Sequence, residues 1–320
     1  MEKKDLRIIF LGTPDFAVES LSRLVDNGYN IVGVVTMPDK PAGRGHKMYQ
    51  SPVKEYALAH GLKLLQPVKL KDETFVEELR SLEADLFIVI AFRMLPEVVW
   101  RMPRLGTFNL HASLLPRYRG AAPINWAVIN GDTETGVTTF FLKHEIDTGD
   151  IIARQRIEIA PDENVGSVHD RLMMLGADLT LQTVESILDG TLTTIPQDEL
   201  LKGEEPTPAP KIFKDTCRID WTAGAVKVAN LVRGLSPYPG AWSPLEADGT
   251  PVGEMKIFAG KVADVSDLTP GEVRIADGTM TVGCGDSTAY SVTELQIPGK
   301  RKMPVADFLR GNRLADMKLG

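Results

Sequence analysis

The fold is decided by residues 7–35, RIIFLGTPDFAVESLSRLVDNGYNIVGVV. Arg7 to Leu11 is a short, nearly continuous apolar run, the pattern of a strand buried on both faces of a parallel sheet. Gly12-Thr13-Pro14-Asp15 reads as a turn into a helix, with Thr13 or Asp15 as its N-cap. Ala17, Leu21, Leu24 and Val25 fall on one helical face, and Gly28 ends the helix. Ile31 to Val35 is a second apolar run, so the chain opens with a βαβ unit. A dinucleotide site would require Gly-x-Gly-x-x-Gly at the first turn. This turn has one glycine and a proline, which argues against a nicotinamide-dependent enzyme.

The alternation continues through helical patterns at 56–60 and 75–82, a strand at 86–91 and a short helix at 95–100. Residues 106–120, GTFNLHASLLPRYRG, then place Asn109 near the end of a strand and His111 just past it. A Leu-Leu-Pro turn and the basic Arg117-Tyr118-Arg119 follow. In open α/β sheets the carboxyl ends of the strands face the ligand crevice, so these polar groups form the first candidate active site. Further on come a helix at 121–130 with Ala122, Trp126 and Ile129 facing inward, and a strand at 136–142. Asp147-Thr148-Gly149-Asp150 is a loop at a strand end, followed by a strand at 151–159 and a long helix at 168–188.

Residues 193–214 read as a connection, with three prolines between 206 and 210. Beyond it the pattern changes to one helix and several short strands, with turns at Asp248-Gly249 and Asp277-Gly278. The expected class is α/β: a Rossmann-like, mostly parallel sheet domain over 1–205, then a small OB-like β-barrel domain over 206–320.

Composition, 43% hydrophobic and 25% charged, is that of a globular protein. Cys217 and Cys284 make no disulfide framework, the apolar run Ile8 to Leu11 is too short for a signal-peptide core, and no apolar stretch of about twenty residues occurs. A cytoplasmic protein without membrane contact is expected. The net charge of −7 argues against a nucleic-acid partner, but it is uneven. From Lys211 onward 14 Lys/Arg meet 13 Asp/Glu, whereas the preceding part has 22 against 30. Within residues 37–54, Lys40, Arg44, His46, Lys47 and Lys54 oppose only Asp39, and Lys300, Arg301 and Lys302 form a second basic run, with Arg310 and Arg313 beyond it. Such clusters are either solvated surface or phosphate contacts. The histidines show no HxxxH or HExxH spacing and no P-loop is present, so neither a metal nor ATP is implied.

An Asn at a strand end is a turn former or a donor to a developing oxyanion. A His is a packing residue or a proton shuttle. Asp147 and Asp150 both lie where they could serve that His, and the residues alone barely separate them. Asn109, His111 and Asp147, together with Ser113-Leu114-Leu115-Pro116, Pro41 to Gly45 and Gly120 to Ile124, resemble, in order, the motifs of the folate-dependent formyltransferases. The resemblance spans essentially the whole chain.

It implies 10-formyltetrahydrofolate as co-substrate and no metal. Asn109 and His111 would polarise the formyl carbonyl, while Asp147 would orient His111 and assist proton transfer. Ser113, Leu114, Leu115 and Pro116, with Ala91, Phe92, Met94 and Leu95, would contact the folate. Within the family, residues 41–45 resemble the RNA-contacting insertion of the branch that formylates methionyl-initiator-tRNA. Lys40, Arg44, Lys47, Lys300, Arg301 and Lys302 would then hold that tRNA, and a monomer is expected. Phe92-Arg93 departs from the family, where something like Tyr-Gly is expected, and His144-Glu145 is more polar than usual. The alternatives are a sugar-nucleotide or other small-amine formyltransferase using the same folate, and a non-catalytic RNA-binding module.

Overall fold

The structure, a computed structural model, describes residues 2–42, 47–203, 205–311 and 316–320. Strands β1 (Arg7–Gly12) and β2 (Asn30–Val35) pair in parallel on either side of helix α1 (Asp15–Asp26). Helix α1 buries Phe16, Ala17, Leu21 and Leu24 against the sheet. Neither Thr13 nor Asp15 caps it: Pro14 occupies the N-cap position, so Asp15 falls inside the first turn and accepts from the Phe16 amide at 2.9 Å.

Residues 37–42 and 47–54 hold more order than a loop. Strands β3 (Lys40–Ala42) and β4 (Lys47–Tyr49) form an antiparallel ribbon with Lys40 opposite Tyr49. At its base Asp39 accepts from Lys54 Nζ at 2.6 Å and Gln66 Nε2 at 2.9 Å, and these donors hold its carboxyl below the usual range. Helix α2 (Pro52–Ala59) starts from Ser51, whose hydroxyl accepts from the Lys54 amide, with Pro52 in the first turn.

Next come β5 (Leu64–Leu65), α3 (Glu73–Ser81), β6 (Leu86–Ile90), α4 (Glu97–Trp100), β7 (Thr107–His111) and β8 (Arg119–Gly120). They are followed by α5 (Pro123–Ile129), β9 (Glu134–Phe141), β10 (Ile151–Glu158), α6 (Val165–Asp189) and α7 (Gln197–Leu201). One sheet has the order β10-β9-β7-β6-β1-β2-β5. The pairs β1/β2, β2/β5, β1/β6 and β6/β7 are parallel, and β7/β9 is antiparallel. From β1 the chain winds outward to β5, then returns to the other side through β6 and β7. The winding reverses between β1 and β6, which is where such sheets open a ligand crevice at their carboxyl ends. One face packs Ile9, Leu11, Phe87 and Val89 on Phe75, Val76 and Leu79 of α3 and on Val99. On β7, Leu110 meets α6 at Gly176, where an added Cβ would lie 2.7 Å from Leu110 Cδ2.

The chain divides into two compact units, the first made of Met1–Gly120, Gly136–Ile157 and His169–Pro208, the second of Ala121–Thr135, Glu158–Val168 and Ala209–Gly320. The second unit contains β11 (Pro208–Ala209) from Ala209 on, α8 (Ala225–Gly234), β12 (Ala241–Ala247), β13 (Thr250–Ala263) and β14 (Val273–Ala276). It continues with β15 (Thr279–Gly283), β16 (Ala289–Gln296), β17 (Met303–Pro304), α9 (Val305–Gly311) and β18 (Lys318–Leu319). Its sheet runs β14-β15-β16-β13-β12-β18, with β17 on β16. The Leu319 amide donates to the Gly271 carbonyl at 3.0 Å and Glu272 bridges Lys318, so the two ends of the sheet meet and the barrel closes. Asp248-Gly249 and Asp277-Gly278 turn its hairpins at positive φ, the conformation such two-residue turns require.

Helix α5 lies in the second unit, where Asn125 Nδ2 donates to the Gly234 carbonyl at 2.8 Å. It buries Ile124, Ala127 and Val128, and Ile129 packs on the core from a partly buried position as expected, whereas Ala122 and Trp126 are not among its buried residues. Trp126 stays half-buried because its indole N–H is drawn to the Pro210 carbonyl at 2.7 Å. Among the described residues no helix is long and apolar enough to cross a membrane, and no three His, Cys, Asp or Glu side chains cluster as a metal site.

Candidate active site

Alternation along β7 puts Thr107, Asn109 and His111 on one face and Phe108 and Leu110 on the other. Parallel pairing with β6 sets Asn109 beside Val89, so its row continues the apolar face that also packs Phe92, Leu95 and Val99. The half-buried Asn109 carboxamide has no hydrogen-bond partner among the described residues.

His111 is the last residue of β7 and is 8% exposed. Its Nε2 lies 2.8 Å from the Tyr118 carbonyl, which can only accept. Nε2 therefore carries a proton, and in the neutral ring Nδ1 is the bare nitrogen. Nδ1 faces Asp147 Oδ2 at 3.9 Å, beyond hydrogen-bond length, so this nitrogen is open to a third party. The edge of the ring meets Phe140, at 6.5 Å between centroids.

Asp147 comes from the connection after β9. Its Oδ2 accepts from the Gly120 amide at 3.0 Å. Asp150 is engaged elsewhere, taking Lys143 Nζ at 2.7 Å. The structure thus brings Asp147, and not Asp150, to His111. Three loops around the strand ends each hold a non-glycine residue in the left-handed region: Ala91 after β6 (φ 47°), Tyr118 after β7 (φ 61°) and Asp147 after β9 (φ 55°). Such residues cost on the order of 1–2 kcal/mol each and cluster where function demands a fixed geometry.

The segment 113–116 is tightly held. Ser113 Oγ donates to the Arg117 carbonyl at 2.7 Å, and Arg154 Nη1 donates to the Leu115 carbonyl at 3.0 Å. Thr138 Oγ1 donates to the Ser113 carbonyl at 2.6 Å and accepts from the Leu115 amide at 3.1 Å. Ser113, Leu115 and Pro116 are buried and Leu114 is half-buried. Leu115 packs inward on Phe140 and Ile151, and Leu114 lies against Gly136, where an added Cβ would be 2.5 Å from its Cδ2.

After β6, Ala91 is exposed, Phe92 half-buried, Met94 75% exposed and Leu95 buried. Arg93 explains the departure from the expected glycine. Its guanidinium reaches back to the carbonyls of Pro67 and Val68, tying the loop down with a side chain. Burial holds its pKa below the ordinary value, and its Nε has no partner among the described residues.

Of the basic candidates, Lys40 is exposed on β3 and Lys47 lies in β4, while Arg44, His46 and Arg313 fall outside the described residues. Lys300, Arg301 and Lys302 are exposed in the second unit, where Lys302 pairs with Glu294 at 2.7 Å and covers the Phe258 ring. Sequence reasoning missed Thr138 and Gln197. Thr138 sits in a run of β-branched residues that reads as plain strand, and Gln197 lies in the proline-flanked connection.

A parallel sheet with an Asn, a His and an Asp at its carboxyl edge, joined to a barrel, defines a class that comparison identifies. The chain belongs to the formyl transferase family: residues 6–184 match it, and residues 211–313 match the formyl transferase C-terminal domain. A methionyl-tRNA formyltransferase of Bacteroides fragilis is 60% identical over 322 residues, covering 99% of this chain and 98% of its own. Another, from Parabacteroides distasonis, is 55% identical over 324 residues, covering 100% of both chains. The solved N-formyltransferase from Helicobacter canadensis, in complex with folinic acid and dTDP-3-aminofucose, superposes with TM-score 0.66 at 18% identity over 91% of this chain and 99% of that one. That likeness speaks for the fold alone.

Proposed function

We propose that the chain transfers the formyl group of 10-formyltetrahydrofolate to the free amino group of methionyl-initiator-tRNA. The carrying observation is the approach of His111 Nδ1 to Asp147 Oδ2, two residues 36 apart in sequence, beside the uncommitted carboxamide of Asn109. Full-length relatives of that activity at 55–60% identity support the choice of acceptor.

In the reaction the amine attacks the formyl carbon, a new C–N bond forms, the bond from carbon to N10 breaks, and one proton passes from the amine to N10. The Asn109 amide N–H donates to the carbonyl oxygen as it gains charge; one such donor is worth about 10²–10³ in kcat. His111, with Nε2–H committed to Tyr118, acts through Nδ1. When protonated there it donates to the same oxygen, and Asp147 exchanges that proton and accepts one from the incoming ammonium. Phe92 and Leu95, the exposed Met94, and Leu114 fit a flat apolar ring system, with the backbone of 91–95 and 113–116 serving its polar edge.

The tRNA would be held through its phosphates by Lys40, Arg44 and Lys47 and by Lys300, Arg301 and Lys302. These contacts position without reading bases. The protein would act as a monomer in the cytoplasm. The test is transfer of labelled formyl from the folate to charged initiator tRNA, run beside an amino-sugar nucleotide. Label on the tRNA alone supports the reading, and label on the sugar alone overturns it in favour of a sugar-amine formyltransferase.

A further inference from the structure

Gln197 opens the short helix α7, has no place in the scheme above, and is only 2% exposed. Burying a carboxamide this completely is costly unless all of its hydrogen-bonding groups find partners. Here they do. Nε2 donates to the Asp147 carbonyl at 2.8 Å and to the Gly149 carbonyl at 2.8 Å. Oε1 accepts from Arg119 Nε at 3.1 Å and Arg119 Nη2 at 2.8 Å. One side chain therefore grips both sides of the site. On one side is the loop that bears Asp147, held in the left-handed conformation. On the other is residue 119, between the Tyr118 carbonyl that takes His111 Nε2–H and the Gly120 amide that holds Asp147 Oδ2.

The Gly149 backbone adds to the constraint, because a Cβ there would lie 1.5 Å from the Phe141 carbonyl oxygen, so the loop is wedged against β9 as well. We infer that Gln197 is a positioning residue for the formyl transfer: it sets the gap between the Asp147 carboxylate and His111 Nδ1 across which the proton moves. The inference rests on the proposed roles of His111 and Asp147. It assigns a task to a residue that touches neither the folate nor the amine.

Two substitutions separate the task from packing. Gln197→Glu keeps the size and the acceptor for Arg119 but turns a carboxylate oxygen toward the two carbonyls, which have nothing to donate. Gln197→Met keeps the volume and loses both sets of bonds. Displacing a reacting group by about 1 Å costs on the order of 10²-fold. Both variants should therefore lose about 10- to 100-fold in kcat, with the folate and tRNA KM values within about threefold of the parent. The decisive arm is a double-mutant cycle with Asp147→Asn. If Gln197 acts through Asp147, adding Gln197→Glu to Asp147→Asn lowers kcat little further.

A Gln197→Glu enzyme with parental kcat overturns the inference, as does full additivity in the cycle. Loss confined to thermal stability, with parental kcat per folded molecule, also overturns it. If Gln197→Met fails to fold, the Gln197→Glu kinetics decide alone. Should Asp147→Asn and His111→Ala themselves leave turnover intact, the reading of the site has failed instead, and that outcome is visible in the same experiment.

Discussion

Tyr118 offers its backbone carbonyl to Nε2 of His111 at 2.8 Å, and this one bond decides which nitrogen of the imidazole is left open. A carbonyl cannot donate, so Nε2 carries the hydrogen and the nitrogen left open is Nδ1, which faces Asp147.

The roles of the two β7 side chains separate in kinetics. Asn109→Ala should lower kcat about 10²–10³-fold, the range for removal of one donor to a developing oxyanion. His111→Ala should lower it about 10²–10⁴-fold through lost proton transfer. In both, folate binding measured by calorimetry should stay near the parental value. A variant that binds folate poorly but turns over normally once saturated would place its residue in binding rather than chemistry.

The Thr138 hydroxyl ties down the segment proposed to contact the folate, through the Ser113 carbonyl and the Leu115 amide. Thr138→Val keeps the shape and leaves both backbone groups without this partner, at about 1–3 kcal/mol. The expected outcome is a lower melting temperature and a raised folate KM, with the tRNA KM unaffected. Equal rises in both KM values would contradict the assignment.

Arg44→Ala, tested with whole initiator tRNA, should raise the tRNA KM and flatten its salt dependence while folate affinity holds. Loss of folate affinity in that variant would mean that the 37–54 segment serves the other substrate.

Burial pushes the Cys284 thiol up to about 11 and lifts the Cys217 thiol as well. A neutral, enclosed thiol is a poor nucleophile, so at about pH 8 iodoacetamide should label neither cysteine in the native protein and both in urea. The sign of the pH effect follows. The unfolded chain ionises Cys284 near its ordinary value, whereas the folded chain resists until about pH 11. This contribution is complete below the ordinary value and lost as pH rises toward about 11. Urea midpoints across the alkaline range should fall in the parent and fall less in Cys284→Ala. Rapid native labelling would show that the barrel core is open.

The opening βαβ unit and the β7 stretch were legible because their apolar runs and polar ends obey simple periodicities, and Asn109 and His111 share a face by the two-residue repeat. Asp147 could be told from Asp150 only through the resemblance, since the distinction lies in a Gly120 amide and a Lys143 ammonium far from any local pattern. Gln197 was illegible for the same reason: its four bonds reach residues 48, 50 and 78 positions away. The β3/β4 ribbon was hidden by the prolines and glycines around it, and on α5 Ile129 packs on the core as read while the Trp126 indole follows the Pro210 carbonyl instead.

Asp147, set against His111 Nδ1, is proposed to move the proton that lets the amine attack. This role is tested most directly by single-turnover formyl transfer to charged initiator tRNA, comparing the parent with Asp147→Asn at saturating folate. A drop of about 10²–10⁴-fold in the transfer step, with folate affinity retained, is the predicted result. Transfer at the parental rate in the Asn variant would remove Asp147 from the proton transfer.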